Sequence, residues 1–306
     1  EELGLLKMDF LGLRTLTVIR DAEAAIQKKD PSFSIRKLDY DDAATYKMLG
    51  QGETEGVFQL ESSGMKQVLV GLQPQNLEDV IALISLYRPG PMDSIPTYLR
   101  NRHEPDKIRY KTPQLAHILD VTNGCIVYQE QVMQIFRELA GFSFGQADNV
   151  RRAMSKKKHA VMEAEREHFV HGCTEPGHEC PGCVANGISE KVANEIYDEM
   201  SSFASYAFNK SHAACYAYVA FQTAYLKCHY PSEFMAALLT SVLDNTDKVI
   251  EYSGECARLG IKVLPPDVNI SNGGFTADNG KIRFGLNAVK NVGRNLIERV
   301  VEERKE

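Results

Sequence analysis

A dense group of cations closes the segment that runs from residue 124 to residue 158. Five arginine and lysine side chains fall within its last eight residues, at Arg151, Arg152, Lys156, Lys157 and Lys158. Such side chains hold phosphate through charge-assisted hydrogen bonds, so the cluster predicts a site for a nucleotide or for a nucleic-acid strand. Cations in the last turn of a helix also complement the helix dipole without any ligand. The pattern alone leaves both interpretations open.

A strand and two helices are predicted to position this cluster. The apolar run 125–128 has the length of a short strand. Apolar side chains then recur at helical spacing, at Val132, Ile135, Phe136 and Leu139. This spacing predicts a helix with one buried face. A second helix is expected to begin between Ser143 and Gln146 and to end in the cations.

Residues 171–187 form a cysteine-rich segment that is a candidate metal site. Four of its side chains are of the types that bind zinc, namely Cys173, His178, Cys180 and Cys183. The last two cysteines are separated by two residues, a common spacing in zinc sites, and four ligands would complete a tetrahedron. Strong zinc patterns contain two such cysteine pairs, however. Free thiols are therefore the favoured interpretation, zinc is the alternative, and a redox pair comes third.

The first residues of the chain alternate in the manner of a β-strand. Leu6, Met8 and Phe10 share one face, and Lys7 and Asp9 point to the other. A carboxylate beside a lysine is a metal ligand, a cap at the end of the strand, or part of an ordinary ion pair. The alternation alone favours the last two interpretations over the metal ligand.

Four polar residues are predicted to gather where one helix ends and the next begins, namely Asn209, Lys210, Ser211 and His212. Ser211 is expected to cap the second helix. Backbone N–H groups at such a helix start attract anions, which makes the group a candidate phosphate site. A lone histidine such as His212 is otherwise a capping or core residue.

Two single residues and one basic stretch complete the candidates. Arg88 follows a buried helix that Pro89 and Pro91 must end, so its side chain is expected to be free to meet a ligand or to cover the turn. Gly293 precedes the last helix, where a missing side chain lets a phosphate approach the backbone; a plain helix start has the same pattern. Residues 98–111 are basic and poor in apolar side chains, which predicts a loop that either touches nucleic acid or is simply solvated.

The composition is that of an ordinary globular protein. Of the 306 residues, 43% are hydrophobic and 25% are charged, and the net charge is −6. This charge argues against a uniformly basic nucleic-acid binder, but basic side chains can still gather on one surface. No apolar run suffices to span a membrane and no secretory signal is recognisable, so we expect a cytoplasmic protein with seven reduced cysteines and no membrane partner. The chain begins at Glu1 without a methionine, which is typical of a segment of a longer protein.

Six motifs in order along the chain resemble those of the bacterial DNA polymerase III alpha subunits, the C-family replicative polymerases. They are LKMDFLGLRTLT at 6–17, VFQLES at 57–62, YRPGP at 87–91, YQEQVM at 128–133, RRAM with the following lysines at 151–158, and FASYAFNKSHAACY at 203–216. Three features depart from the family pattern. Ser155 and Ala207 stand where glycine is usual, and residues 171–187 look like a local insertion.

The resemblance implies template-directed transfer of a nucleotide from a deoxynucleoside triphosphate to a primer 3′-hydroxyl, with two Mg²⁺ ions. It implies that Asp9 is a catalytic carboxylate and magnesium ligand, and that Arg88 and Gly293 contact the template or the DNA. Binding of nucleotide and phosphate would involve Lys7, Arg151, Arg152, Lys156, Lys157, Lys158, Asn209, Lys210, Ser211 and His212. The implied partners are primer–template DNA, the dNTP, the remainder of the alpha subunit, and other holoenzyme subunits with the sliding clamp through parts that this chain lacks.

The expected fold is mainly α (α+β), with a helical fingers domain as its largest part. We expect the C-terminal end of the palm at residues 1–20, the fingers at 21–230, and an incomplete helix-hairpin-helix-like region with a small hairpin at 231–306. The chain lacks the paired aspartates of the family's palm, so it is expected to be inactive by itself. Two alternatives stay open: a non-catalytic, zinc-clipped nucleic-acid-binding module, and a helical domain that binds only partner proteins.

Overall fold

The structure is a computed structural model, which describes residues 12–156, 159–204 and 206–304 together with Gly4 and Met8. The strand predicted around Lys7 and Asp9 lies outside the described residues. Fifteen α-helices are found in the described part, so the predicted fold class, mainly α with a small β element, is confirmed. In chain order they are α1 Arg14–Gln27, α2 Ala43–Gly50, α3 Ser63–Leu72, α4 Leu77–Leu86, α5 Ile95–His103, α6 Ala116–Leu119, α7 Gln129–Ala140, α8 Phe144–Ser155, α9 His159–His171, α10 Gly182–Ala185, α11 Glu190–Ala204, α12 Lys210–His229, α13 Pro231–Ser241, α14 Thr246–Arg258 and α15 Arg294–Glu303.

Three short strands near the C-terminus form one small sheet. They are β1 Val263–Leu264, β2 Thr276–Asp278 and β3 Lys281–Arg283, in the order β1-β3-β2. β1 runs parallel to β3, and β2 and β3 form an antiparallel hairpin. Its two turn residues, Asn279 and Gly280, have φ angles of 48° and 74°. Two successive positive φ angles are what a type I′ hairpin turn requires, and the small hairpin expected within residues 231–306 is confirmed.

The described chain packs as two compact units, and the predicted domain boundaries stay predictions. Unit 1 consists of Glu1–Lys66 and Val219–Glu306, and unit 2 of Gln67–Tyr218. Residues 231–306 therefore belong to the same unit as α1. The reason is the apolar face of α1, which shares one core with α13 and with the small sheet.

A buried lysine of unit 1 holds the loop that precedes the VFQLES motif. The Lys227 side chain is fully buried, and its Nζ donates to the backbone carbonyls of Glu53 at 3.0 Å and Glu55 at 2.9 Å. The same Nζ pairs with Glu255 Oε1 at 2.7 Å, so the buried charge is compensated. Gly56 has a φ of +75°, and a Cβ there would lie 2.3 Å from a methyl group of α13. The loop therefore requires glycine at this position.

Unit 2 is organised around α7, as the helical spacing predicts. The four apolar residues of its predicted face are all fully buried: Val132, Ile135, Phe136 and Leu139. Phe136 packs at ring-centroid distances of 5.0 Å from Phe169 and 6.0 Å from Tyr197. The next helix, α8, begins where predicted, because Ser143 and Gln146 cap it reciprocally. The expectation of a loop at 98–111 is wrong over its first part, since α5 continues to His103.

Candidate functional site

One carboxylate holds both arginines of the cationic cluster. Asp148 Oδ1 accepts from Arg151 Nε at 2.9 Å and from Arg151 Nη2 at 2.7 Å. Its other oxygen, Oδ2, lies 2.8 Å from Arg152 Nη2. The hydrogen bonds from Arg151 hold the pKa of Asp148 below its ordinary value, so this carboxylate is ionised at neutral pH. Asp148 was missed in the sequence analysis, although its position three and four residues before the arginines was a usable signal.

The two arginines are held differently. Arg151 is 18% exposed, and its Nη1 also donates to Gln129 Oε1 at 3.2 Å. Gln129 in turn donates to the carbonyl of Ala207 at 3.1 Å, so Arg151 is linked to the start of α7 and to the residues that precede α12. Arg152 is 65% exposed and turns outward from α8. Neighbouring residues on a helix point about 100° apart. Arg151 is therefore a positioned arginine, and Arg152 is an accessible one.

The lysines of the cluster are only partly described. Lys156 is exposed, and its backbone N–H closes α8 by donating to the Arg152 carbonyl at 3.1 Å. Lys157 and Lys158 lie outside the described residues, as do Lys7 and Asp9. The phosphate-binding roles of these four residues stay predictions.

The start of α12 already carries an anion from its own chain. The backbone N–H of Lys210 donates to the two carboxylate oxygens of Glu130 at 3.1 and 3.0 Å, and Asn209 Nδ2 donates to Glu130 Oε1 at 2.9 Å. The predicted cap is also corrected: Asn209 Oδ1, and not Ser211, accepts from the backbone N–H of His212, at 2.8 Å. A phosphate at these N–H groups would have to displace Glu130. Ser211 is exposed.

The side chains of Lys210 and His212 have partners near this helix start. Lys210 Nζ lies 2.9 Å from a carboxylate oxygen of Glu78 and 5.2 Å from the ring centroid of Tyr128. The exposed His212 ring stacks on Tyr216 at 4.5 Å and meets the edge of Phe208 at 5.3 Å. His212 is therefore neither a capping nor a core histidine. Its phosphate role stays a prediction.

Arg88 holds the helix break together instead of pointing freely at a ligand. Its Nη2 donates to the Tyr206 carbonyl at 2.6 Å and its Nε to the Ser85 carbonyl at 3.0 Å. The guanidinium carbon lies 4.1 Å from the ring centroid of Phe208. The expectation of a free side chain is wrong, and the alternative of an arginine that covers the turn describes the geometry. Contact with template stays a prediction.

A cavity of about 450 Å³ brings Arg151 and Asn209 together. Its wall also contains Arg137, whose guanidinium carbon lies 5.9 Å from the ring centroid of Phe144. The volume falls within the range of small-molecule sites. Two arginines and three carboxylates line it, the acids being Glu130, Glu138 and Asp148. The accessible cations of the cluster, Arg152 and Lys156, are not part of its lining.

Gly293 is not required by the backbone or by packing. It precedes α15 with a φ of −73°, which any residue adopts, and a Cβ there would meet nothing within 4 Å. The surface in front of this backbone is open, as an approaching phosphate would need. The role of Gly293 in DNA contact stays a prediction.

Backbone hydrogen bonds close part of the cysteine-rich segment into a loop. Cys173 and Cys180 exchange two N–H···O bonds of 2.9 Å, and Cys180 and Cys183 are buried in the core of unit 2. Burial raises the pKa of Cys183 to about 12 and also raises that of Cys180, so both are thiols and not thiolates. Over residues 12–156, 159–204 and 206–304, no group of three His, Cys, Asp or Glu side chains is arranged to hold a metal ion. The four predicted zinc ligands, His178 included, are thus not assembled within these residues, and the predicted magnesium ligand, Asp9, lies outside them.

We expect protein purified without chelator to contain far less than one equivalent of zinc, because a zinc site needs converging ligands and these four side chains do not converge in the structure. Elemental analysis measures this directly, with the Cys180→Ser and Cys183→Ser variants as controls. One equivalent of zinc that disappears in both variants would show that the segment rearranges around the metal.

None of the described helices combines the length and the apolar character that a membrane crossing demands.

Comparison with known proteins assigns the chain to a family. Residues 15–177 match the bacterial DNA polymerase III alpha subunit finger domain, and residues 260–306 match a helix-hairpin-helix motif. Proteins named DNA polymerase III subunit alpha are 49% identical over 99% of this chain in Thermus aquaticus, and 46% identical over 100% of it in Bacillus subtilis. The chain spans 25% and 27% of the length of these two relatives. The first match covers more than half of the chain, and this protein therefore belongs to the family of the bacterial DNA polymerase III alpha subunit finger domain.

Proposed function

We propose that the chain is part of a template-directed DNA polymerase. In the proposed reaction the primer 3′-hydroxyl attacks the α-phosphate of a dNTP, and pyrophosphate leaves. The observation that carries the proposal is the identity of 49% along 99% of the chain to a DNA polymerase III subunit alpha. The proposed partners are primer–template DNA, the dNTP and the remainder of the subunit, with the sliding clamp and other holoenzyme subunits meeting parts that lie outside this chain.

Arg152 and Lys156 are the proposed triphosphate ligands, because both are exposed at the end of α8. Arg151 is proposed to border the nucleotide and to fix the end of α8 against α7. Asp148 holds both guanidinium groups and reduces the local positive charge. The proposed site therefore selects a triphosphate by the positions of its hydrogen-bond donors as well as by its charge. A triphosphate can then share Arg152 with Asp148 without disturbing the bond between Arg151 and Gln129.

Asp9 is the proposed contribution of this chain to magnesium binding. Magnesium prefers carboxylate and phosphate oxygens as ligands, and two ions need more than one carboxylate. We propose that the other carboxylates come from palm residues outside this chain, and that the chain by itself does not polymerise. Primer extension by the complete subunit and by the 306-residue chain tests this, with activity expected for the subunit only. A complete subunit that still extends primers after deletion of residues 143–156 would contradict the role of the cluster.

Gly293→Ala is expected to weaken primer–template binding by this chain several-fold, because the added methyl group obstructs the approach of a phosphate to the start of α15. Alanine is a poorer cap than glycine, so the free energy of unfolding should fall by only about 0.5–1 kcal/mol. The control is Gly254→Ala in α14, where an added Cβ also meets nothing within 4 Å. Affinity and thermal midpoint are measured for both variants. Equal DNA affinity in the two would remove Gly293 from the DNA contacts.

A further inference from the structure

A second cavity of unit 2 lies beside the end of α5 and shares no lining residue with the first. Its volume is about 310 Å³. Four cations line it, namely Arg100, Lys107, Arg109 and Lys111, against one carboxylate, that of Glu199. The whole protein carries a net charge of −6, so this is a local concentration of positive charge. We call it the basic cavity.

Two of its four cations have no carboxylate partner among the described residues. Arg100 is exposed and makes no ion pair there, and Arg109 Nη1 donates only to the backbone carbonyls of Asp106 at 2.7 Å and Ile108 at 3.0 Å. The Arg109 side chain is thus oriented while its charge is left uncompensated. Both guanidinium groups are available for an anion.

The two lysines have partners that an anion can replace. Lys107 pairs with Glu104 at 2.8 Å, and Lys111 pairs with Glu199 at 2.5 Å. The side chains of both pairs are at least 36% exposed. Exposed ion pairs contribute little to stability, so exchanging a carboxylate for a phosphate oxygen costs little.

The wall of the basic cavity is built by packing. Gly124 has a φ of +77°, and a Cβ there would lie 2.7 Å from Ile108 Cγ2. Asn101 Nδ2 donates to the Asn123 carbonyl at 2.8 Å, which ties α5 to the same turn. The Tyr110 hydroxyl donates to Asp120, and burial together with this bond raises the pKa of Tyr110 to about 12, so the phenol stays neutral. The cations therefore project from a fixed frame.

We propose that the basic cavity binds the phosphate backbone of a single nucleic-acid strand, and that in the polymerase this strand is unpaired template. The cations lie on α5 and on the segment after it, so they can contact several successive phosphates of one strand. Such contacts do not depend on the identity of the bases. The identity of the strand rests on the proposed function; the affinity for a strand does not.

The test measures binding of fluorescently labelled oligodeoxythymidylate to the 306-residue chain at several salt concentrations. In the Arg100→Ala/Arg109→Ala variant, affinity at low salt falls, and the slope of log K against log salt becomes shallower by about 1.4, at about 0.7 for each phosphate contact of a single strand. The matched control is Arg36→Ala/Lys37→Ala, which removes two exposed charges from unit 1 and leaves the slope unchanged. The Arg100→Lys/Arg109→Lys variant keeps both charges and most of the slope.

Three results would overturn the proposal. The first is a parental slope in the double alanine variant with an unchanged thermal midpoint. The second is an equal loss of oligonucleotide affinity and of salt slope in the control variant, which would mean that only the net charge of the chain matters. The third is that the double alanine variant binds dTTP more weakly than the parent but binds the oligonucleotide equally well, which would make the basic cavity a nucleotide site. A complete subunit that does not extend primers, with the expected slope change in the chain, would reject the polymerase function and leave the strand site standing.

Discussion

Replacing Asp9 with asparagine in the complete subunit should abolish nucleotide incorporation and leave the fold intact. The amide keeps the shape of the side chain but removes the charge that magnesium binding needs. Metal stabilisation of a transition state is worth several kcal/mol, so we expect at least about a thousandfold loss in kcat. The expectation rests on the LKMDFLGL motif, in which Asp9 and Lys7 alternate with apolar residues.

The control for this variant is Asp21→Asn. Asp21 is a partly exposed acid on α1 that pairs with Arg20 at 2.8 Å, so the same chemical change there should leave incorporation unchanged. Both variants are compared by single-nucleotide primer extension over a magnesium titration, beside their thermal midpoints. Near-parental extension by Asp9→Asn at every magnesium concentration would remove Asp9 from the metal site.

Local signals predicted the helices that carry the site. The apolar spacing of α7 and the reciprocal cap of α8 depend on residues at most a few positions apart, so the sequence contains all the information. The ion pairs of Asp148 are also local, because its partners are three and four residues away, so the sequence could have predicted them. The helix α5 was missed for the opposite reason. Its Tyr98 is buried and its Arg102 pairs with Asp79, 23 residues earlier, at 3.1 Å, and these distant contacts outweigh the low apolar content of the segment.

Distant partners also explain where the site itself departs from prediction. Glu130, about 80 residues earlier in the chain, occupies the N–H groups at the start of α12. Arg88 finds its acceptor in the carbonyl of Tyr206, 118 residues later. The sequence marks these residues as polar groups at helix ends, which fits a ligand contact and an internal contact equally well. Only packing decides between the two.

Arg152→Ala should lower kcat/KM for nucleotide incorporation roughly ten- to hundredfold with little change in thermal midpoint. A charge-assisted contact to triphosphate is worth about 1.5–3 kcal/mol, and each 1.4 kcal/mol is a factor of ten. The side chain is 65% exposed and its pair with Asp148 is partly solvated, so its loss should cost only a few tenths of a kcal/mol of stability. If the cation only complements the end of α8, incorporation stays at the parental value.

Arg151→Ala should lower both incorporation and stability. This side chain is 18% exposed and makes hydrogen bonds to Asp148 and Gln129, whose loss should cost about 1–2 kcal/mol of unfolding free energy. The bond to Gln129 ties α8 to α7, so the nucleotide site loses its geometry together with a charge. A fall in midpoint with Arg151→Ala but not with Arg152→Ala would separate the positioning arginine from the accessible one.

Asp148→Asn distinguishes a helix-end role from a triphosphate role. The amide keeps one acceptor for Arg151 but no longer neutralises either guanidinium, so the site becomes more positive while its shape is retained. If Arg152 holds the triphosphate, KM for the dNTP should fall or stay constant in Asp148→Asn and rise in Arg152→Ala. If the cluster holds the DNA backbone instead, the affinity for primer–template should change in both variants, with KM for the dNTP unaffected. The measurement is steady-state incorporation by the complete subunit with each substitution, beside primer–template affinity at one fixed salt concentration. Parental incorporation in both arginine variants would exclude the triphosphate role and assign the cations to the helix end or to the DNA backbone.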